Sequence, residues 1–293
     1  MVACALVLVA ADDPPAATMT RERRIDNEYG QGLARYGDGW IFAGTTGLRR
    51  TDDDLRVEVA NTAPIPADLR ARGYNHLGDV DVAGAYLYAP LEQPDYERNE
   101  QVMARYDAKT LEFVDAVTLN QHENSFVAVD VRAGTAYAMD RSAGDRLLRY
   151  DLGGLRWRPK PPLPLSRTLE RVQGADLGDG FVYLSTSDAQ NTLYRVALGT
   201  GAVTELGSAG HAGGEGGGID LTPLASGRIH TLISDRDSDN EVALFLADFG
   251  VPPLRRTGRA EQWILVSTVA TTLVTTVAVV ALTRRRWRKR TDH

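Results

Sequence analysis

One cysteine, Cys4, in 293 residues excludes an intramolecular disulfide framework and leaves no thiolate cluster for zinc or iron–sulfur. Stability must therefore come from packing. Histidine is scarce too: the five present form no metal-spaced pair, and the chain has no Gly-x-Ser-x-Gly and no cysteine beyond the N-terminus, so nucleophilic catalysis has no motif behind it. No convincing helical period runs between residues 27 and 249. The basic charge is concentrated at one end, since six of the 33 basic residues lie in the last ten positions. Residues 1–283 alone carry 27 basic against 38 acidic residues, a net of −11, and a body this acidic argues against nucleic acid as a partner.

What the middle of the chain does have is short β-rich runs separated by Gly, Asp and Asn turns, with a repeat spaced by 44 to 49 residues. Its anchor is a small-x-Asp-apolar strand ending on Asp81, Asp130, Asp176 and Asp220. Seven residues after the first three come Tyr88, Tyr137 and Tyr183, each in an alternating apolar strand behind a tight Gly-containing turn; in the fourth copy His230 takes that place ten residues on. A third strand ends in Arg105-Tyr106-Asp107, Arg149-Tyr150-Asp151 or Arg195-Val196-Ala197, and a turn and a fourth strand follow. The stretch around Leu33 to Asp52 reads as a weaker fifth copy.

Four strands per unit of about 45 residues predict an all-β fold, a β-propeller of five four-stranded blades with six as the other count, over residues 18–250. The last copy lacks an obvious fourth strand, and residues near Thr18 to Ile25 are predicted to supply it and close the ring. The strand endings and turns (RYD followed by DAKTLE, or LGTGAV) resemble the YncE-like, or YVTN-type, propeller repeats of exported bacterial proteins. That resemblance implies a propeller and leaves the activity open among binding modules, lactonases and dehydrogenases.

The anchor carboxylates recur in every copy, which favours a structural role as acceptors for backbone amides. Candidate chemistry sits instead at positions five to seven residues before each anchor, which a propeller brings together at one channel mouth. These are Asn75 and His76, Glu123 and Asn124, Glu170 and Arg171, and Glu215, with Asp79 beside them. As a ligand-binding set, His76, Asp79, Glu123, Asn124, Glu170, Arg171 and Glu215 offer polar contacts. As a catalytic set, His76, Glu170 and Arg171 offer a base and a charge partner, with a Ca²⁺ ion as the cofactor the carboxylates suit. Against both stands the reading of polar loop ends over a solvated channel. A second calcium candidate is the acidic loop carrying Asp235, Asp237 and Asp239, which resembles the start of a calcium loop but has Leu246 where an EF-hand needs its bidentate Glu. The segment GHAGGEGGGID precedes no helix, so it is not a phosphate cradle; its glycines suit a backbone passing close to the channel. The stretch 158–165, RPKPPLPL, reads as an extended connection between blades.

The two ends carry the topology. Residues 263–282, WILVSTVATTLVTTVAVVAL, are uncharged over twenty positions, the length of a transmembrane helix, with 251–262 as linker. The basic tail 283–293 places the C-terminus in the cytoplasm and the propeller outside, anchored as a single-pass protein in the cell membrane. Residues 1–17, with the apolar run 2–10, read as the remnant of a signal peptide and a linker, the other reading being a plain disordered end. Leu254-Arg255-Arg256-Thr257-Gly258 before the span resembles a cell-wall sorting signal, but Arg255 stands where Pro or Ala is usual. The partners expected are the bilayer and an extracellular ligand or cell-envelope protein.

Overall fold

Turn chemistry sets the hairpins. Asp179 and Gly180 both have positive φ, 52° and 84°, and join Val172–Gly178 to Phe181–Thr186 by a two-residue turn whose twist matches the strands. Gly37, at φ 58°, begins the equivalent turn between Gly32–Tyr36 and Gly39–Gly44. In the last copy Asp220 pairs directly with His230, so the extra residues are absorbed by a longer hairpin loop and His230 keeps the cross-strand position of Tyr88 and Tyr183; in the third blade Asp130 faces Thr135 and Tyr137 faces Ala128.

The computed structural model describes residues 16–140, 144–153, 156–236 and 239–251. The chain divides into units 1–252 and 253–293, and the described residues belong to the first. Among the described residues no helix is long and apolar enough to cross a membrane. The span 263–282, residues 252–262 of its linker, the tail, residues 1–15 and Asp237 lie outside them.

The strands form five antiparallel sheets. Residues 32–61 make the first blade, 76–119 the second, 128–164 the third, 172–208 the fourth, and 215–250 three strands of the fifth. Thr18–Ile25 pairs antiparallel with Val242–Gly250 and completes that fifth sheet, the closure predicted for it. Five apolar clusters follow, one between each pair of neighbouring blades. Ile41 and Leu48 of the first blade meet Leu77 and Leu87 of the second, while Trp40 and Phe42 meet Leu232 and Leu246 of the fifth. A closed ring of five sheets needs five such interfaces, each burying the apolar positions of alternating strands.

The proline-rich stretch 158–165, read from the sequence as a connection, is instead the outer strand Arg156–Pro164 of the third blade. An outermost strand bonds along one edge only, so prolines are tolerated there and deter pairing with another molecule.

Ring closure carries a clasp. His211 stacks on Phe245 with centroids 4.4 Å apart, and its ring nitrogens lie 2.9 Å from the Asp235 carboxylate and 2.8 Å from Glu22 on the closing strand. Burial works to lower the His211 pKa, but the bonds to Asp235 and Glu22 outweigh it and raise the value above the usual imidazole range. A raised histidine pKa contributes stability that is full below the unfolded value and is lost as pH rises through the folded one. His211→Asn, which tolerates the left-handed φ of 51° at this position, is expected to destabilise the protein by about 1 kcal/mol at pH 5.5 for this partly exposed trio, and by less at pH 9. Thermal unfolding at the two pH values checks this; an equal loss at both would remove the clasp.

Candidate functional site

All five blades meet at one residue, Asp79. Asp79 is fully buried, and the inner strand of the second blade is broken around it into His76–Leu77 and Asp81–Ala83. The break lets Asp79 leave its own sheet. Its amide donates to Ser125 O of the third-blade segment at 2.7 Å, while its carboxylate accepts from Leu33 N at 3.1 Å, Val80 N at 3.0 Å, Ala175 N at 3.0 Å and Ile219 N at 3.3 Å. Burial pushes the Asp79 carboxyl well above the usual carboxylate range, against the pull of the amides of Ala175, Leu33 and Ile219.

Room for this hub comes from glycine. Gly32, Gly174 and Gly218 stand one residue before Leu33, Ala175 and Ile219, and a Cβ at any of the three would run into Asp79. The glycine-rich segment has the same explanation on its other side. The carbonyls of Gly216, Gly217 and Gly218 accept from the hydroxyls of Ser187, Ser185 and Thr231, so the backbone itself is bonded to neighbouring strands.

The anchor aspartates are indeed acceptors, mostly for amides of the next blade. Asp81 takes Val129 N at 2.6 Å, Asp176 takes Leu221 N at 2.7 Å, and Asp220 takes Arg35 N at 2.9 Å, whereas Asp130 bonds Ala133 N within its own turn at 2.9 Å. Three of these carboxylates also feel one another across the axis. Burial, then the charge of Asp220, pushes Asp81 up to about 7; burial, then Asp81 and Asp220, raises Asp176 well above the usual range.

Inner strands all run in one direction along the axis, so residues just before the Asp79 level face the opposite end from the anchors. There they enclose a cavity of about 330 Å³. Every blade contributes: Gln31 from the first, Asn75, His76, Glu92 and Gln93 from the second, Ser125 from the third, Gln173 from the fourth and Glu215 with Gly216 and Gly217 from the fifth. His76 lies directly opposite Glu92 in the antiparallel pair. Glu92 is buried and accepts from the amide of Asn124.

The candidate residues thus separate. Asn75, His76 and Glu215 line this cavity. Asp79 is the hub beneath it. Asn124 is buried behind it, donating to Val102 O at 2.8 Å and accepting from Gln121 at 2.9 Å, so it positions Glu92 from below the surface. Glu123 stands outside the lining, as do the exposed Glu170 and Arg171, the latter with a left-handed φ of 51°. In the acidic loop, Asp235 bonds His211 and Arg236 N. Among the described residues no three His, Cys, Asp or Glu are grouped to hold a metal ion. Gln31, Glu92, Gln93 and Gln173 are not among the positions selected from the sequence; strand register sets Glu92 against His76, and only the closed ring brings the three glutamines to the mouth.

No protein-family model matches the chain, and no curated protein matches it. Solved structures do. The bifunctional GH43-CE of Bacteroides eggerthii is similar over 82% of this chain and 36% of its own, at 14% identity and a TM-score of 0.51. A luciferin-regenerating enzyme is similar over 76% of this chain and 78% of its own, at 10% identity and a TM-score of 0.48. Apo AztD from Citrobacter koseri is similar over 62% of this chain and 47% of its own, at 16% identity and a TM-score of 0.37. At these identities the likeness concerns the fold alone. The protein is a five-bladed β-propeller with four-stranded blades.

Proposed function

We propose that this protein is an extracytoplasmic binding module whose axial mouth takes an uncharged, hydrogen-bonding ligand. The observation that carries this reading is the mouth cavity itself, polar and drawn from all five blades, closed beneath by a hub that needs no ligand. Side-chain amides are the commonest of its polar groups, four against two carboxylates, and an amide both donates and accepts, which suits a ligand rich in hydroxyl or amide groups. The acidic pair Glu92 and Glu215 disfavours an anion. The resemblance of the strand endings to YncE-like repeats supports an exported setting. The uncharged run 263–282 and the basic tail after it support a single-pass tether with the C-terminus in the cytoplasm.

Both halves are testable. The intact chain is expected to stay with membranes through alkaline carbonate washing, and externally added protease is expected to digest the propeller while sparing a C-terminal tag. Release by carbonate would overturn the tether. For the mouth, thermal-shift screening against neutral sugars, short peptides and carboxylates is expected to yield stabilising compounds whose effect disappears in Gln173→Ala and His76→Ala. Compounds that stabilise both variants as well as the wild type would place binding elsewhere. A second reading, a hydrolase at the same mouth with a Ca²⁺ ion, draws on the His76–Glu92 pairing; it requires that His76→Gln keep ligand binding while abolishing turnover.

A further inference from the structure

The mouth cavity does not stop at the axis. Gly30 and Gln31 also border a second depression of about 280 Å³ over the first blade, lined by Thr45, Thr46, Arg49 and Thr62. That depression shares Thr46 and Thr62 with a third, of about 370 Å³, which reaches Ile65, Arg70 and Tyr74 and returns to Asn75 on the wall of the mouth. Successive walls held in common make one groove, running outward from the axis over the boundary between the first and second blades. Its path is rigid underneath: Leu77 N donates to Thr45 O at 2.9 Å and ties the two blades together there, and Tyr74 is buried with its hydroxyl on Glu100 O.

The chemistry of the groove is uniform along most of its length. Thr45, Thr46 and Thr62 are exposed hydroxyls, and Gln31 and Asn75 add amides at the inner end. Arg49 is paired with Glu28, which leaves that stretch without net charge. Apolar surface lies at the two ends: Ile65 and Tyr74, themselves buried, at the outer one, and Pro94 and Tyr96 in the axial cavity. A bound peptide uses apolar pockets for alternate side chains or a free strand edge to extend a sheet; a groove that crosses a hairpin and loop ends provides neither along its threonine-lined stretch. Closely spaced hydroxyls and amides with little charge match a chain that repeats the same groups.

We propose that this groove binds a neutral oligosaccharide, with its end unit in the axial cavity and the following units over Thr45–Thr46 toward Arg70. The proposal rests on the mouth reading and adds length and chemical class to it. The test uses the full chain in detergent on an array of neutral oligosaccharides of graded length, from single sugars upward, with acidic and neutral peptides printed alongside. Affinity is expected to rise with chain length by about tenfold in all, the change that 1.4 kcal/mol brings. Thr46→Arg and Thr62→Trp, both at exposed positions, are expected to abolish that gain and leave single-sugar binding unchanged, with circular dichroism confirming the fold. Gln173→Ala at the mouth is expected to weaken every sugar alike. Single sugars bound with no gain from length would overturn the groove and leave the mouth intact. Peptides retained in place of sugars, sensitive to Gln173→Ala, would overturn the ligand class. Binding of nothing on the array would overturn the groove and the mouth together.

Discussion

Asp79→Ala is expected to destabilise the propeller by about 4 kcal/mol, because it strands four buried backbone donors at about 1–3 kcal/mol each, less whatever an entering water recovers. None of the strand ladders is touched by the change. The loss would come from the centre, where the amides of Leu33, Val80, Ala175 and Ile219 converge on one carboxylate. Asp79→Asn is expected to fall between, since it keeps one oxygen but turns an amide group toward donors. Gly218→Ala provides the second arm. Its methyl would strike the Asp79 carboxylate in the wild type and also press on Gly32 Cα and Leu33 N, each 2.7 Å away, so the same change is expected to cost less in the Asp79→Ala background and to keep the share due to that backbone. Urea unfolding of the wild type, the three single variants and the double variant measures all of this. A wild-type-like midpoint for Asp79→Ala, or additive losses in the double variant, would remove Asp79 from its role as hub.

Below the hub, stability is expected to fall as pH rises from about 4 to about 7. Asp81 is pushed up to about 7 by burial and by Asp220, and Asp176 is raised well above the usual range by burial, Asp81 and Asp220. A carboxyl whose folded pKa exceeds its unfolded value binds its proton more tightly when folded. Its contribution is therefore full below the unfolded value near 4 and is lost as pH climbs through the folded one. For Asp81 and Asp176, which titrate together, the combined loss is a few kcal/mol by linkage. Asp81→Asn keeps an acceptor for Val129 N and removes the charge. It is expected to flatten the dependence and to be more stable than the wild type at pH 8. Denaturant unfolding at intervals from pH 4.5 to 8 gives both curves; parallel curves would show that Asp81 carries its charge without penalty. His211 contributes in the same direction, and His211→Asn separates its share.

The fold was legible because a propeller writes itself along the chain. Where the inner strand's aspartate faces a tyrosine of the second strand, as Asp81 faces Tyr88 and Asp176 faces Tyr183, the pair recurs as a spacing of seven. The closing strand was legible by counting, since a fifth copy short of one strand leaves only the N-terminal stretch to supply it. The proline strand was misread because proline argues against a strand only where both edges are bonded, and the sequence does not say which strands lie outermost.

The site was legible only in part. Aligning the copies on their aspartates selects His76 and Glu215, because equivalent positions of a ring reach the same mouth. The same alignment also selects Glu170 and Arg171, which stand outside the cavity, and Asn124, which lies buried behind it, since small differences in loop path are invisible to spacing. Glu92 belongs to no motif and enters through register alone.

By itself, then, the sequence determined the blade unit, its count, the closing strand and the uncharged run 263–282, all of which follow from local periodicity and composition. Only the tertiary structure decided that Asp79, rather than a ring of equivalents, holds the centre. Five strands converge on an axis with room for one carboxylate, so one blade brings the acid and three others bring Gly32, Gly174 and Gly218. That division of labour is a property of the closed ring, and no single copy of the repeat contains it.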